Sequence, residues 1–382
     1  MSYDFAILGG GAAGLSLALA MVRSPLQERS ILIVEKDAKN TNDRTWCFWS
    51  DAPTPLDGIA RAVWSNLRFR SPGFDRTYPL APFRYELVRG LDFYRSARLE
   101  LAQHNVTFVQ AAGEVQDGGQ AAVVRVDGRE FESAWVFDSR LRPEDVVQSP
   151  RFNYLKQHFT GWEVETDTPI FDPQTVTLFD LRTPQRGGVT FFYVLPFGPR
   201  RALVEYTLFS PAQLRAEEYE TALRAYLRDE FGLSDYRILE VEHGVIPMTD
   251  HAFPRRLGQR VMAIGTRGGR VKPSTGYAFA RIQRDSARIV ASLLRYSHPF
   301  GVPPDALRHR FHDAVLLEVL AHAPERGRQV FTGIFRRNPV QPILRFLDDR
   351  SSVLDDLRVI TACAPWPFLR AVGRLAWKMS GG

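Results

Sequence analysis

Two short apolar runs frame the start of the chain. Residues 3–8 (YDFAIL) and 30–34 (SILIV) are too short for helices and read as buried strands. Between them, residues 12–23 are apolar on nearly every face, the pattern of a helix enclosed by its domain. The second strand runs into Glu35. A comparable order returns late in the chain. Residues 260–264 read as a strand and 265–276 as a glycine-rich loop containing Pro273. The next segment then puts Ile282, Ile289, Val290 and Leu293 on one helical stripe.

The middle of the chain has a period of two. Residues 120–138 alternate on either side of Asp127-Gly128, which predicts a hairpin with a two-residue turn. Residues 176–181, 189–195 and 202–209 predict an antiparallel meander with turns at Gly187-Gly188 and Gly198-Pro199. Residues 211–231 follow as a helix, with Ser210 as its N-cap and Gly232 as its stop. Beyond Tyr296 the chain turns helical, punctuated by prolines. Its last segment (PFLRAVGRLAWKM) sets Arg370, Arg374 and Lys378 on one face and Phe368, Leu369, Val372, Leu375 and Ala376 on the other. Such a basic amphipathic helix suits either a bilayer surface or packing on its own domain.

Gly9, Gly11 and Gly14 lie between the first strand and the first helix as G-x-G-x-x-G. Glycines there allow a tight turn, close approach of backbone to a pyrophosphate, and near contact of helix and strand. The free N–H groups of the helix start face the negative charge. Glu35, 21 residues after Gly14, is placed to accept ribose hydroxyls. Glycine spacing leaves FAD and NAD equally open. The late strand, glycine-rich loop and helix resemble the second FAD motif of the two-domain flavoproteins related to aromatic hydroxylases. Those usually carry Gly-Asp in the loop, where this chain has Gly265-Thr266.

Composition narrows the setting only a little. The 382 residues carry a net charge of +6, spread along the chain, which fits a phosphate-bearing cofactor or an anionic membrane as well as it fits nucleic acid. Arg255, Arg256, Arg260, Arg267 and Arg270 come with no nucleic-acid-binding motif, so no nucleic-acid partner is expected. The two cysteines, Cys47 and Cys363, make no disulfide framework and point to a reducing compartment. His309, His312 and Asp313 have helical spacing, but no Cys/His cluster supports a metal site, and none is expected. The N-terminus lacks a basic n-region and a cleavage site, so no secretory signal is expected. Residues 5–22 contain four glycines and read as strand plus helix rather than a membrane span.

One residue is out of place in the meander. In RRALVEYTLFS, Glu205 stands among Leu203, Val204, Tyr206, Leu208 and Phe209, where a carboxylate loses its hydration. Alternation puts Leu203, Glu205 and Thr207 on one face and Val204, Tyr206 and Leu208 on the other, so Glu205 and Tyr206 cannot both face one pocket. An acid so placed is either paired, with Arg182 on a neighbouring strand as the candidate, or kept neutral for proton transfer. Asp180 is the alternative acid.

The segments GGGAAGL, DRTWCFW, FFYVLPF followed by ALVEYT, GVIPMT and KPSTGY, taken in order, resemble the bacterial FAD-containing lycopene β-cyclases over roughly residues 3–295. The resemblance implies an α/β fold: a discontinuous Rossmann-type FAD domain (1–75, 100–148 and 245–296), an inserted antiparallel substrate domain (76–99 and 149–244), and a helical region (297–382). It implies redox-neutral cyclisation of the ends of lycopene, or a related linear carotenoid, to β-rings, with reduced FAD required and NAD(P)H as the electron source. Glu205 matches the essential acid of the family's L-E-E-T-like motif, and Tyr206 stands where many members have a second acid. Trp46, Phe48, Trp49, Phe191 and Tyr193 are the expected substrate-facing aromatics, with Phe192 a further candidate.

For the cofactor the resemblance implies Gly9, Gly11, Ala12, Ala13, Gly14, Glu35, Lys36, Arg44 and Val115 in the first half. In the late loop it implies Gly265, Pro273, Ser274, Thr275, Gly276 and Tyr277. A membrane-dwelling hydrocarbon substrate implies peripheral contact with the cytoplasmic side of a membrane. A redox flavoenzyme, hydroxylating or reducing a prenyl chain, is the alternative on the same fold, and a carotenoid binder without catalysis is a third reading.

Overall fold

Buried β-branched runs build the first sheet. The structure, a computed structural model, describes residues 1–379; residues 380–382 of the expected helical region lie outside the described residues. Ser2–Leu8 lies at the centre, parallel to Ile31–Val34 on one side and to Arg129–Asp138 on the other. Val106–Val109 extends one edge, and Val261–Ala263 pairs in parallel with Arg129–Asp138. The hairpin partner Ala122–Val126 and then Gly113–Asp117 complete the sheet. Its turn has positive φ at both Asp127 and Gly128, as a two-residue hairpin loop requires. Helix Ala12–Val22 packs on helix Phe279–Tyr296, so the two glycine-rich loops come from neighbouring elements.

The second sheet has the order Arg237–Thr249, Tyr154–Glu165, Arg201–Ser210, Val189–Gly198, Thr175–Asp180, Asn66–Ser71, Phe74–Pro79. It is antiparallel except where Thr175–Asp180 meets Asn66–Ser71. Strand alternation gives it two distinct faces. Phe192, Val204, Tyr206 and Leu208 pack against helix Ala216–Phe231. On the opposite face Phe191, Leu203 and Phe209 join a large core with Phe331 and Phe335 of the C-terminal helix Pro324–Arg337. A small sheet, Thr45–Ser50 with Arg84–Arg89 and Ala62–Trp64, carries the DRTWCFW segment.

Three expectations change. Residues 66–75 were expected in the first domain, but Asn66–Ser71 and Phe74–Pro79 form the far edge of the second sheet. Helix Gly90–Leu101, expected largely with the substrate part, packs on Ala12–Val22 through Phe93, Tyr94 and Ala97. The boundary at 244/245 falls inside one continuous strand, Arg237–Thr249. Each difference comes from pairing between segments far apart in sequence, to which local alternation is blind.

Ser210 is not a helix cap. It ends its strand, the helix begins at Ala216 behind Arg215, and Ser210 Oγ bonds His158 Nε2 and the Ala212 carbonyl instead. Gly232 does stop the helix, with φ +67°.

The final helix, Pro365–Met379, follows the second of its two readings, with part of its basic face packed on its own domain. Arg374 and Lys378 turn inward and both pair with the buried Glu318, at 2.6 and 2.7 Å. A buried carboxylate has a stronger claim on those cations than water does. Trp366 and Leu369 of this helix are exposed.

Candidate active site

The glycine loop is shaped for an anion. Gly9 takes φ +103°, a conformation L side chains rarely adopt. A Cβ on Gly14 would lie 2.0 Å from the Gly9 carbonyl oxygen, so helix and strand pack at a distance only glycine allows. A Cβ on Gly11 would meet nothing within 4 Å: it would project into open space beside the first turn of Ala12–Val22. That helix has no side-chain cap, which leaves its first N–H groups available to a phosphate. Glu35 reaches back to the loop, where its Oε2 accepts the Gly10 N–H at 2.7 Å and its Oε1 the Asp37 N–H at 2.9 Å.

From this loop a cavity of about 460 Å³ runs to the inner face of the second sheet. Gly11, Ala12 and Ala13 line one end, and Glu205 and Glu242 lie on the sheet wall. Its aromatic surface comes from Trp46, Tyr85, Phe159, Tyr193, Tyr277 and Phe279, with Trp46 stacked on Phe279 at 4.8 Å. The phenols of Tyr193 and Tyr277 are held neutral, since burial raises both above the ordinary tyrosine range.

Strand register explains how two acids come together. Glu205 and Glu242 sit on strands that flank Tyr154–Glu165, and both are opposite the same residue, Gly161. A Cβ on Gly161 would come within 3.0 Å of both Glu242 Cγ and Leu203 Cδ1. Glycine in the middle strand therefore leaves room for the carboxyl groups to meet across it. Thr207 Oγ1 donates to Glu205 Oε1, and Thr45 Oγ1 donates to Glu242 Oε2 at 2.6 Å.

Glu205 is 8% exposed. Burial is the main cause that raises its pKa well above the ordinary range, and the neighbouring Glu242 charge adds to the rise. The Thr207 hydrogen bond opposes it and is outweighed. Glu242 is half-buried and is raised as well, chiefly by burial. Two adjacent carboxyls resist double ionisation, and the more enclosed of them keeps the proton. A carboxyl group whose pKa is raised by burial thus faces a cavity in which aromatic side chains lie beside polar ones such as Lys39, Asp43, Arg44 and Gln157.

The family model for lycopene cyclase protein matches residues 4–372. The chain belongs to the lycopene cyclase family. It is 27% identical to a lycopene beta-cyclase of a Paracoccus species over 97% of each chain. It is 34% identical to a chloroplastic neoxanthin synthase of Solanum tuberosum, over 67% of this chain and 62% of that one. Among solved structures it resembles a flavoprotein/dehydrogenase from Cytophaga hutchinsonii, with TM-score 0.62, 14% identity and full coverage of both chains. That last likeness establishes the fold.

Set against the family's motifs, the expected site residues divide. Trp46 and Tyr193 line the cavity, as do Gly11, Ala12, Ala13, Arg44, Gly276 and Tyr277. Gly9 and Gly14 build the loop behind them, and Gly265 abuts Ala13, where a Cβ would lie at 2.6 Å.

Phe48, Trp49 and Phe191 do not line the cavity. Trp49 Nε1 donates to the Leu344 carbonyl at 3.1 Å, and its ring backs Tyr277 edge-on at 5.1 Å. Phe48 packs beneath Phe279, and Phe191 is enclosed by Phe179, Tyr193 and Phe209. Phe192 lies on the far face, stacked on Tyr226. Ser274 points away from the cavity, its Oγ bonding Asp313 at 2.6 Å beside the buried Lys272, which pairs with Asp313 and Asp349. Pro273 and Thr275 are likewise absent from the cavity wall. Lys36 is exposed past the second strand, and Val115 lies in the strand Gly113–Asp117 of the first sheet, packed on that sheet's core.

The alternatives for the acid are engaged elsewhere. Arg182 pairs with Asp180 and Glu230, so that among the described residues no ion pair holds Glu205, and Asp180 is fully enclosed with Arg70, Arg182 and Tyr226 around it. Tyr206 is on the far face with Phe192 and Tyr219.

Glu242, Gly161, Tyr85 and Phe159 were missed by the sequence reading. The only local signal was the alternation in ILEVEHGV, which marks Glu240 and Glu242 as sharing a face without saying that the face is enclosed.

Proposed function

We propose that this chain is a lycopene β-cyclase, and that Glu205 is its proton donor. The observation that carries the reading is a buried carboxylic acid, its pKa raised chiefly by burial, on the wall of a cavity that carries aromatic side chains and begins at a dinucleotide loop. An alkene is a very weak base. A solvated Glu near pKa ~4.3 is protonated in only about 0.2% of molecules at pH 7, whereas burial makes the acid form the main species.

Glu205 gives its proton to the terminal double bond of the open chain end, which leaves a tertiary cation. The π electrons of the nearby double bond close a six-membered ring onto that carbon. Loss of a proton from the ring then forms the ring alkene. One proton enters and one leaves, so the product is an isomer of the substrate. Burial of Glu205 limits the access of water, which would trap the cation as an alcohol. The rings of Trp46, Tyr193 and Tyr277 line the cavity, and an aromatic face turned to a cation contributes about 1–2 kcal/mol when desolvated.

The residues present fit FAD. Gly9, Gly11, Gly14 and the first turn of Ala12–Val22 would hold the pyrophosphate, and Gly276 and Tyr277 lie on the cavity wall where the ring system is expected. When bound in its reduced form, with NAD(P)H as the electron source, FAD would supply electron density that favours a cationic transition state without net electron transfer. Expressed in lycopene-accumulating cells, the protein should convert the red pigment to monocyclic and then bicyclic carotenes. Unchanged lycopene in cells holding folded, flavin-loaded protein would overturn the reading.

The substrate's home in a bilayer supports peripheral membrane contact on the cytoplasmic side. Among the described residues no helix is long and apolar enough to cross a membrane. Because Arg374 and Lys378 are engaged internally, the contact rests on exposed apolar side chains: Leu354 and Leu357 of helix Val353–Thr361, and Trp366 and Leu369 of Pro365–Met379. Replacing these four by serine should lower flotation with phosphatidylcholine vesicles at least about tenfold, and added salt should not restore or mimic the effect. Undiminished flotation contradicts this placement.

A further inference from the structure

We infer that Glu242 is the proton relay of this site, connecting Glu205 to solvent through a small neighbouring cavity on the same face of the sheet. This rests on the cyclase reading above and concerns how its acid is recharged. Glu242 lines two cavities at once: the large one it shares with Glu205, and a second of about 10 Å³ that it shares with Asn42, Arg61, Arg89, Glu163 and Glu240.

The second cavity has room for a single water, and the polar atoms around it suit one. Asn42 Oδ1, Arg61 Nε and Arg89 Nε are buried there with no hydrogen-bond partner among the described residues. Its outer rim reaches solvent, since the Glu240 side chain is about a third exposed. A proton thus has a continuous polar path from the rim, through that cavity, to the Glu242 carboxyl that meets Glu205.

The chemistry needs such a path. After Glu205 protonates the substrate it is a carboxylate beside a cation in an apolar wall. When the ring loses its proton, the acid pair recovers it: an O–H bond forms on a carboxylate oxygen as the ring C–H bond breaks. That proton either stays with Glu205 for the next ring or leaves through Glu242. Tyr206, on the far face, cannot take this part. Other charged and titratable groups near Glu242 are Glu205 and Cys47 on the cavity side and Glu163, Glu240, Arg61 and Arg89 on the rim side. Glu163 is already held by Arg61 and Arg201.

The test is multiple-turnover cyclisation by the flavin-loaded protein in D2O, with deuterium counted in the product by mass spectrometry. Wild type should place about one deuterium in each ring, because the relay exchanges the donor's proton between turnovers. Glu242→Gln should cyclise more slowly and carry well under one deuterium per ring, as ring protons are handed on to the next substrate. Glu242→Asp should restore incorporation. A slower Glu242→Gln that still carries a full deuterium per ring overturns the relay and leaves Glu242 a structural part of the wall. Wild type that makes rings without deuterium overturns the relay, and wild type that makes no rings overturns the cyclase reading on which it rests.

Should Glu242→Gln fail to fold, Thr45→Val takes over the test. Loss of its hydrogen bond removes an influence that lowers the Glu242 pKa, so the alkaline limb of the rate profile should move to higher pH. An unmoved limb overturns the proposal.

Discussion

Replacing Glu205 by glutamine is expected to abolish cyclisation, a loss of about 10²–10⁴-fold or more, while the protein stays folded and keeps its flavin. Glutamine has nearly the shape of the neutral acid, so the wall of the cavity and the Thr207 contact survive. Its amide has no proton acidic enough for an alkene. Pigment extracted from lycopene-accumulating cells reads the outcome directly, and normal β-ring formation by the variant would remove Glu205 from the mechanism.

The same substitution has a signature in stability. Glu205's pKa is raised in the folded protein, so the native state holds its proton more tightly than the unfolded chain does. Its contribution to stability is full below the ordinary glutamate range and is lost as pH rises through the folded value. Glu205→Gln should flatten that decline.

The second large effect concerns the cofactor. Gly11→Ala should leave the stability of the flavin-free protein within about 0.5 kcal/mol of wild type, since its Cβ meets nothing within 4 Å. Yet it should strip the purified protein of flavin absorbance, because that methyl occupies the space reserved for the pyrophosphate. Gly14→Ala should behave differently. Its Cβ would strike the Gly9 carbonyl at 2.0 Å, so the loop must shift, at a cost of about 1–3 kcal/mol in stability, together with loss of flavin. Thermal melts and the flavin spectrum separate the two cases. If Gly11→Ala retains flavin at wild-type affinity, the cradle has been assigned to the wrong place.

How much of this was legible in the sequence depended on the range of the interactions. The first βαβ unit was readable because its strand, turn, helix and terminal acid lie within 35 residues, and each carries its own local signal. Glu205 stood out because an acid within apolar alternation is locally anomalous. Alternation also separated Glu205 from Tyr206.

What alternation cannot say is which face looks into a cavity. Phe48 and Trp49 were therefore expected to meet substrate and instead support the wall from behind. Glu242 was hidden for a related reason. Its strand exposes every second residue over much of its length, so ILEVEHGV reads as a solvated edge. Only its register against Gly161, set by pairing across some eighty residues of chain, brings it to Glu205. Ser274 was misplaced because its partner, Asp313, belongs to a helix outside the motif. For the basic face of the last helix, bilayer contact and packing on its own domain both stayed open, because sequence alone did not reveal the buried Glu318 opposite Arg374 and Lys378.

The central claim is that the position 205 side chain is an uncharged acid at neutral pH. Infrared difference spectroscopy between wild type and Glu205→Gln, recorded across a pH series, observes it directly. At pH 7 the wild type should show a protonated-carboxyl C=O band that is missing from the variant and fades only at higher pH. A difference spectrum that instead shows a carboxylate at pH 7 would contradict the account.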